Sequence, residues 1–177
     1  MLYFWKNANH SAQFFMLQKI LFLTLITALL LGCTRDDICA ETTATTPKLI
    51  IVFNDFVNPT ERKTVPNLTV RTTDTNQTVV INATATDSIA IPLRTAADFT
   101  RYEFIRDDNT INALSEAYRF GYNREELYVN RACAFKTVYS NLDAIEDDEG
   151  TNDWILNVQI ENQTVENELE AHITIFH

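Results

Sequence analysis

The stretch KLIIVFNDF at residues 48–56 sets Leu49, Ile50, Ile51, Val52 and Phe53 side by side, with Lys48 before them and Asn54 and Asp55 after. A half-buried strand alternates apolar and polar residues, and an amphipathic helix repeats them every three to four. An unbroken, largely β-branched run between polar ends is instead the pattern of a strand covered on both faces.

Outward from this run the strand signal recurs. Leu68 and Val70, then Val79 and Ile81, then Ile89, Ile91 and Leu93 alternate with polar neighbours at period two. Further strands are predicted at residues 101–106, 116–122, 126–139, 154–161 and 168–176, about nine in all, in a chain rich in Thr, Val, Ile, Phe and Tyr. Trp154, Leu156, Val158 and Ile160 share one face, as do Leu169, Ala171, Ile173 and Ile175, and the polar stretch between them reads as a hairpin turn. In 126–139, Leu127, Val129, Cys133 and Phe135 share a parity that Arg131 interrupts, so a bulge or break is expected there. The expected fold is all-β, an antiparallel β-sandwich of immunoglobulin-like or transthyretin-like type. A small closed β-barrel is the alternative, because period-two strands fit both.

Residues 20–31 are an almost unbroken apolar run, preceded by Lys19 and followed by Gly32 and Cys33. Spanning a bilayer takes about 20 apolar residues, whereas a signal peptide needs roughly 7 to 15 behind a positive charge. Length therefore selects a signal peptide over residues 1–32, and Met16 offers a second start that leaves a compact signal. Leu30, Leu31, Gly32 and Cys33 resemble the lipobox of bacterial lipoproteins, which implies cleavage before Cys33 and lipid on that cysteine. Residues 33–47 are then a lipidated tether and residues 48–177 one domain. Several acyl chains on one cysteine hold a protein stably where a single chain is marginal.

After cleavage 145 residues remain, with 12 basic and 24 acidic side chains and a formal charge of −12. This excess of acid offers no basic patch to displace phosphate counterions and argues against a nucleic-acid partner. With Cys33 lipidated, Cys39 and Cys133 are the two thiols left in an oxidising compartment, and an even remainder reads as one disulfide. Two buried free thiols are the other reading. A metal site is disfavoured, since only His172 and His177 remain to complete a set.

The lipobox, Asp36, Asp37, Ile38 and Cys39 behind it, the phrase TTPKLII at residues 45–51 and LYVNRAC at residues 127–133 together resemble the small flavobacterial lipoproteins catalogued only as a domain of unknown function. The resemblance runs over the whole chain after Cys33 and brings no activity or catalytic residues. Asp36 and Asp37 also resemble the signal that exports such lipoproteins to the outer cell surface, with Arg35 and Ile38 making the match partial. An outer-membrane lipoprotein is implied, with its periplasmic or cell-surface placement left open.

Catalytic chemistry finds little purchase. Ser88, Ser115 and Ser140 are the serines after Cys33, and none sits in a Gly-x-Ser-x-Gly elbow. Gly121 and Gly150 are too few for a phosphate-cradling loop, so no nucleotide cofactor is expected. His172 and His177 fall on opposite sides of an extended strand and read as exposed strand residues. The acidic run containing Asp143, Asp147, Glu149 and Asp153 is a weak Ca²⁺ candidate, more simply read as a solvated loop. Tyr118, Phe120 and Tyr122 share a strand face, and as an exposed row they would stack on sugar rings or dock a partner. The leading expectation is a non-enzymatic, lipid-anchored envelope module. The alternatives are a surface module capturing glycan or protein, and an enzyme acting on envelope polysaccharide through a carboxylate pair.

Overall fold

The computed structural model describes residues 16–26, 38–147 and 154–177, so Cys33 and the Asp36 and Asp37 pair lie outside the described residues. The chain divides into two compact units, residues 1–40 and 41–177. In the first, residues 16–26 form a helix with exposed side chains. No helix among the described residues is long and apolar enough to cross a membrane.

The second unit is a β-sandwich of nine strands: β1 (Leu49–Asn54), β2 (Val65–Thr72), β3 (Val79–Thr86), β4 (Ser88–Ile91), β5 (Phe99–Arg106), β6 (Leu114–Asn130), β7 (Ala134–Glu146), β8 (Asn157–Ile160) and β9 (Ile173–Phe176). One sheet runs β4-β1-β9-β8 and the other β3-β2-β5-β6-β7, two open sheets rather than a closed barrel. Pairing is antiparallel throughout except between β1 and β9, which run parallel with Ile51 beside Ile173 and Phe53 beside Ile175. That pair occupies the middle of its sheet, which explains the continuous apolar run at 49–53 and the burial of all four β9 residues. Leu49, Ile51, Phe53, Ile173 and Ile175 meet Leu68, Val70, Phe104 and Phe120 of the facing sheet in one core.

Two local expectations are corrected, and one expected break is located. The break expected in 126–139 falls at Arg131: β6 ends at Asn130, residues 131–133 turn, and β7 begins at Ala134. Asn130 makes that turn, its Oδ1 accepting the amides of Ala132 at 2.9 Å and Cys133 at 2.8 Å, with Ala134 left-handed at φ 57°. The polar stretch between β8 and β9 is no tight hairpin but the long connection 161–172, whose Val165 pairs with Tyr139 in both directions and hems the outer edge of β7. Alternation also fails at both ends of this hairpin. Trp154 and Ile155 are consecutive and both buried, while Leu156 and Leu169 face solvent.

The histidines read as exposed are buried. His172 grips β1 at two points: its amide donates to the Ile50 carbonyl at 2.9 Å, and its Nδ1 accepts the Ile50 amide at 3.0 Å. Burial lowers the pKa of His172, against a backbone hydrogen bond to Asn167 and the charges of Glu168 and Glu170, and burial lowers that of His177 as well. Protonating Nδ1 would remove the acceptor that Ile50 uses. The unfolded chain takes up these protons near pH 6.5 and the folded chain only lower, so the stability they contribute is complete above about pH 6.5 and is lost as pH falls below it. We expect the thermal midpoint to drop between pH 7 and pH 5, and His172→Asn, which keeps an acceptor near Nδ1, to flatten that slope. An unchanged slope would show that His172 does not set it.

Candidate functional site

β6 is an interior strand of its sheet, and alternate residues along it point into the sandwich. Tyr118, Phe120 and Tyr122 are those residues, and all three are buried. Phe104 meets Tyr118 at 6.3 Å and Phe120 at 6.2 Å edge-on, and Tyr122 meets Tyr139 at 4.9 Å. The row is core packing, not an exposed stacking platform, because the four-stranded sheet covers it.

The polar ends of these tyrosines do a second job. The hydroxyls of Tyr102, Tyr139 and Tyr122 donate to three successive carbonyls, Pro92 at 2.5 Å, Leu93 at 3.2 Å and Arg94 at 3.0 Å. Burial pushes the Tyr139 phenol up to about 12 and raises those of Tyr102 and Tyr122, so all three stay neutral donors at physiological pH. They pin the segment after β4, and Arg124 continues the clasp through the Thr95 carbonyl at 2.6 Å and Asp98 at 2.9 Å.

Beside that segment Thr72, Thr73, Asp74, Arg94, Phe99 and Arg101 line a cleft of about 190 Å³. Arg94 pairs with Asp74 at 2.8 Å, and Arg101 lies 5.3 Å above the Phe99 ring while pairing with Asp147 at 2.6 Å. A hydrogen bond from Thr72 is the main reason the Asp74 carboxyl sits below its ordinary value. Small-molecule sites run to roughly 300–1,000 Å³, so this cleft is a shallow polar notch.

Asp143 and Asp147 are each engaged separately. Asp143 accepts the Gly121 amide at 2.7 Å, packed so closely that a Cβ at Gly121 would collide with its carboxylate, while Asp147 holds Arg101. Glu149 and Asp153, the other members of the Ca²⁺ candidate, lie outside the described residues. Among the described residues no three His, Cys, Asp or Glu are grouped to hold a metal. The most buried carboxylate, Glu116, receives the amides of Trp154 and Ile155.

What the sandwich leaves uncovered is the far end of β6 and β7. Beyond Tyr122 and Tyr139 the two strands continue as a two-stranded arm with mostly exposed residues. Asn141, left-handed at φ 52°, marks the register shift at its base, where Gly121 faces Asp143 but Asn123 faces Ser140. Tyr128 and Phe135 then stand opposite one another, 63% and 59% exposed, with ring centres 5.4 Å apart. They continue the inward-facing file of Tyr139 and Thr137 past the point where the second sheet stops.

A ribbon of two strands is marginal alone. Here the Thr137 amide donates to Thr46 Oγ1 at 3.0 Å, Val165 pairs with Tyr139, and Cys133 at the turn is disulfide-bonded. Cys39, the other cysteine expected in a disulfide, is disulfide-bonded too. The aromatic pair was not singled out in the sequence, because Tyr128 and Phe135 lie on opposite parities of the chain and only the turn between them brings them onto one face. Asn130 ahead of Arg131 is the turn signal that separates them.

The fold and surface define a two-sheet β-sandwich bearing a projecting hairpin. The chain belongs to the family of unknown function DUF6452, which matches residues 67–177, from β2 through β9. No curated protein and no solved structure matches it.

Proposed function

We propose that the protein is a non-enzymatic, lipid-anchored module of the bacterial cell envelope that makes contacts through its β6–β7 arm. The anchor rests on the lipobox ending at Cys33 and on the resemblance to flavobacterial lipoproteins. The arm carries the contact reading: it displays two large aromatics, packed against each other and open to solvent, on a clamped ribbon, and contiguous exposed apolar surface marks contact sites. Non-enzymatic action is supported by the engagement of Asp143, Asp147 and Glu116 with backbone amides or an arginine. The glycan-capture reading loses its stacking row to the core.

The test is a photo-crosslinking residue placed in cells at Phe135, and for comparison at Ile111, which is fully exposed at the opposite end of the β5–β6 ladder. Adducts with envelope components are expected at position 135 and not at 111, and Cys33→Ser is expected to release the protein from membranes. Equal labelling at both positions would remove the arm as a contact element. Digestion of intact cells by protease decides between the surface and periplasmic faces of the outer membrane.

A further inference from the structure

We propose that the arm is the membrane-facing end of the domain and that residues 127–136 rest on an anionic lipid surface, with Tyr128 and Phe135 in the interfacial layer. This rests on the lipid-anchor reading above.

Three observations carry it. The first is chemical. Tyr128 and Phe135 lie on one face, opposite each other and open to solvent, and aromatic rings of this kind settle at the boundary between headgroups and acyl chains. The second is electrostatic. The arm segment LYVNRACAFK, residues 127–136, carries Arg131 and Lys136 and no acid, in a chain whose formal charge is −10. Cationic groups near a membrane are attracted by anionic headgroups, and the acids nearest this tip, Glu125 and Glu126, lie behind it along β6.

The third is covalent reach. The domain is entered alongside the arm, since Thr46 is bonded to the Thr137 amide, two residues from Phe135. Thr46 follows Cys33 by 13 residues, which span at most about 45 Å when extended. Both Cys39 and Cys133 are disulfide-bonded in a chain of three cysteines, and joined to each other they hold the turn of the arm six residues from the lipid, at most about 20 Å. The end of the domain that the anchor keeps near the bilayer is therefore the end that displays aromatics and cations.

The test uses the full lipidated protein in vesicles of phosphatidylethanolamine and phosphatidylglycerol. After signal removal Trp154 is the sole tryptophan and is buried, so it serves as an internal reference. Phe135→Trp and, as a second reporter, Tyr128→Trp are compared with the parent when the lipids are brominated near the top of their acyl chains. Strong quenching of both new tryptophans, with Trp154 unaffected, is the expected result. Protein that floats with the vesicles but whose reporters stay unquenched and open to aqueous acrylamide overturns the proposal while sparing the anchor. Protein that fails to float overturns the anchor reading itself.

Discussion

Glu116→Ala is expected to destabilise the domain by about 3 kcal/mol or more, taking each hydrogen bond to a charged acceptor as about 1.5–3 kcal/mol. Its side chain lies inside the sandwich, where one carboxylate oxygen receives two consecutive amides, those of Trp154 and of Ile155, the latter at 2.7 Å. The loss would leave both amides buried and would free Trp154, whose ring is held against Phe53 and His177 and whose indole donates to the Phe104 carbonyl at 3.3 Å. Glu116→Gln keeps an acceptor of the same length and should recover part of the loss. Urea unfolding followed by Trp154 emission measures both variants. An Ala variant within about 0.5 kcal/mol of the parent, the ordinary range for surface changes, would show that Glu116 does not hold this segment.

The second large effect is expected at the disulfide. Joining Cys39 to Cys133 closes a loop of nearly a hundred residues, for which the chain-entropy relation gives about 4–5 kcal/mol. At roughly 2–4 °C per kcal/mol for a domain of this size, Cys133→Ser should lower the thermal midpoint by about 10–20 °C. A local consequence separates this from general loosening. The turn at residues 131–133 is clamped by that bond, so reductant should open Arg131 to trypsin before any site in the sandwich is cut. Non-reducing peptide mapping that finds both thiols free in protein taken from the envelope would end the prediction.

The strands were legible where burial is simple. The run at 49–53 announces an interior strand, and period two at residues 89–93 announces a strand with one covered face, although at 68–70 Thr69 is buried along with Leu68 and Val70. The sandwich follows from these, as does the approximate number of strands. Legibility failed where one side chain overrides the periodicity. Nothing local says that Glu116 will gather two amides 38 and 39 residues away and so bury both Trp154 and Ile155. Nor does the sequence show that His172 will stand in for a backbone acceptor beside Ile50. The candidate surface was misjudged for a related reason. Parity marks a shared face, but only tertiary cover decides whether that face is core, as at Tyr118, Phe120 and Tyr122, or open, as at Tyr128 and Phe135.

The parallel pairing of β1 with β9 has a consequence for the order in which the molecule can be completed. Ile50 and His172 are 122 positions apart, and the ladder they begin joins the first strand to the last. Ribosomes release a chain from its N-terminus, and contacts between distant positions form slowly because a long loop must close first. The five-stranded sheet, built largely from neighbours in sequence, can assemble while β1 still lacks one flank. The four-stranded sheet cannot close until β9 has emerged. The strand holding the most apolar run of the sandwich is therefore the last to be locked in place.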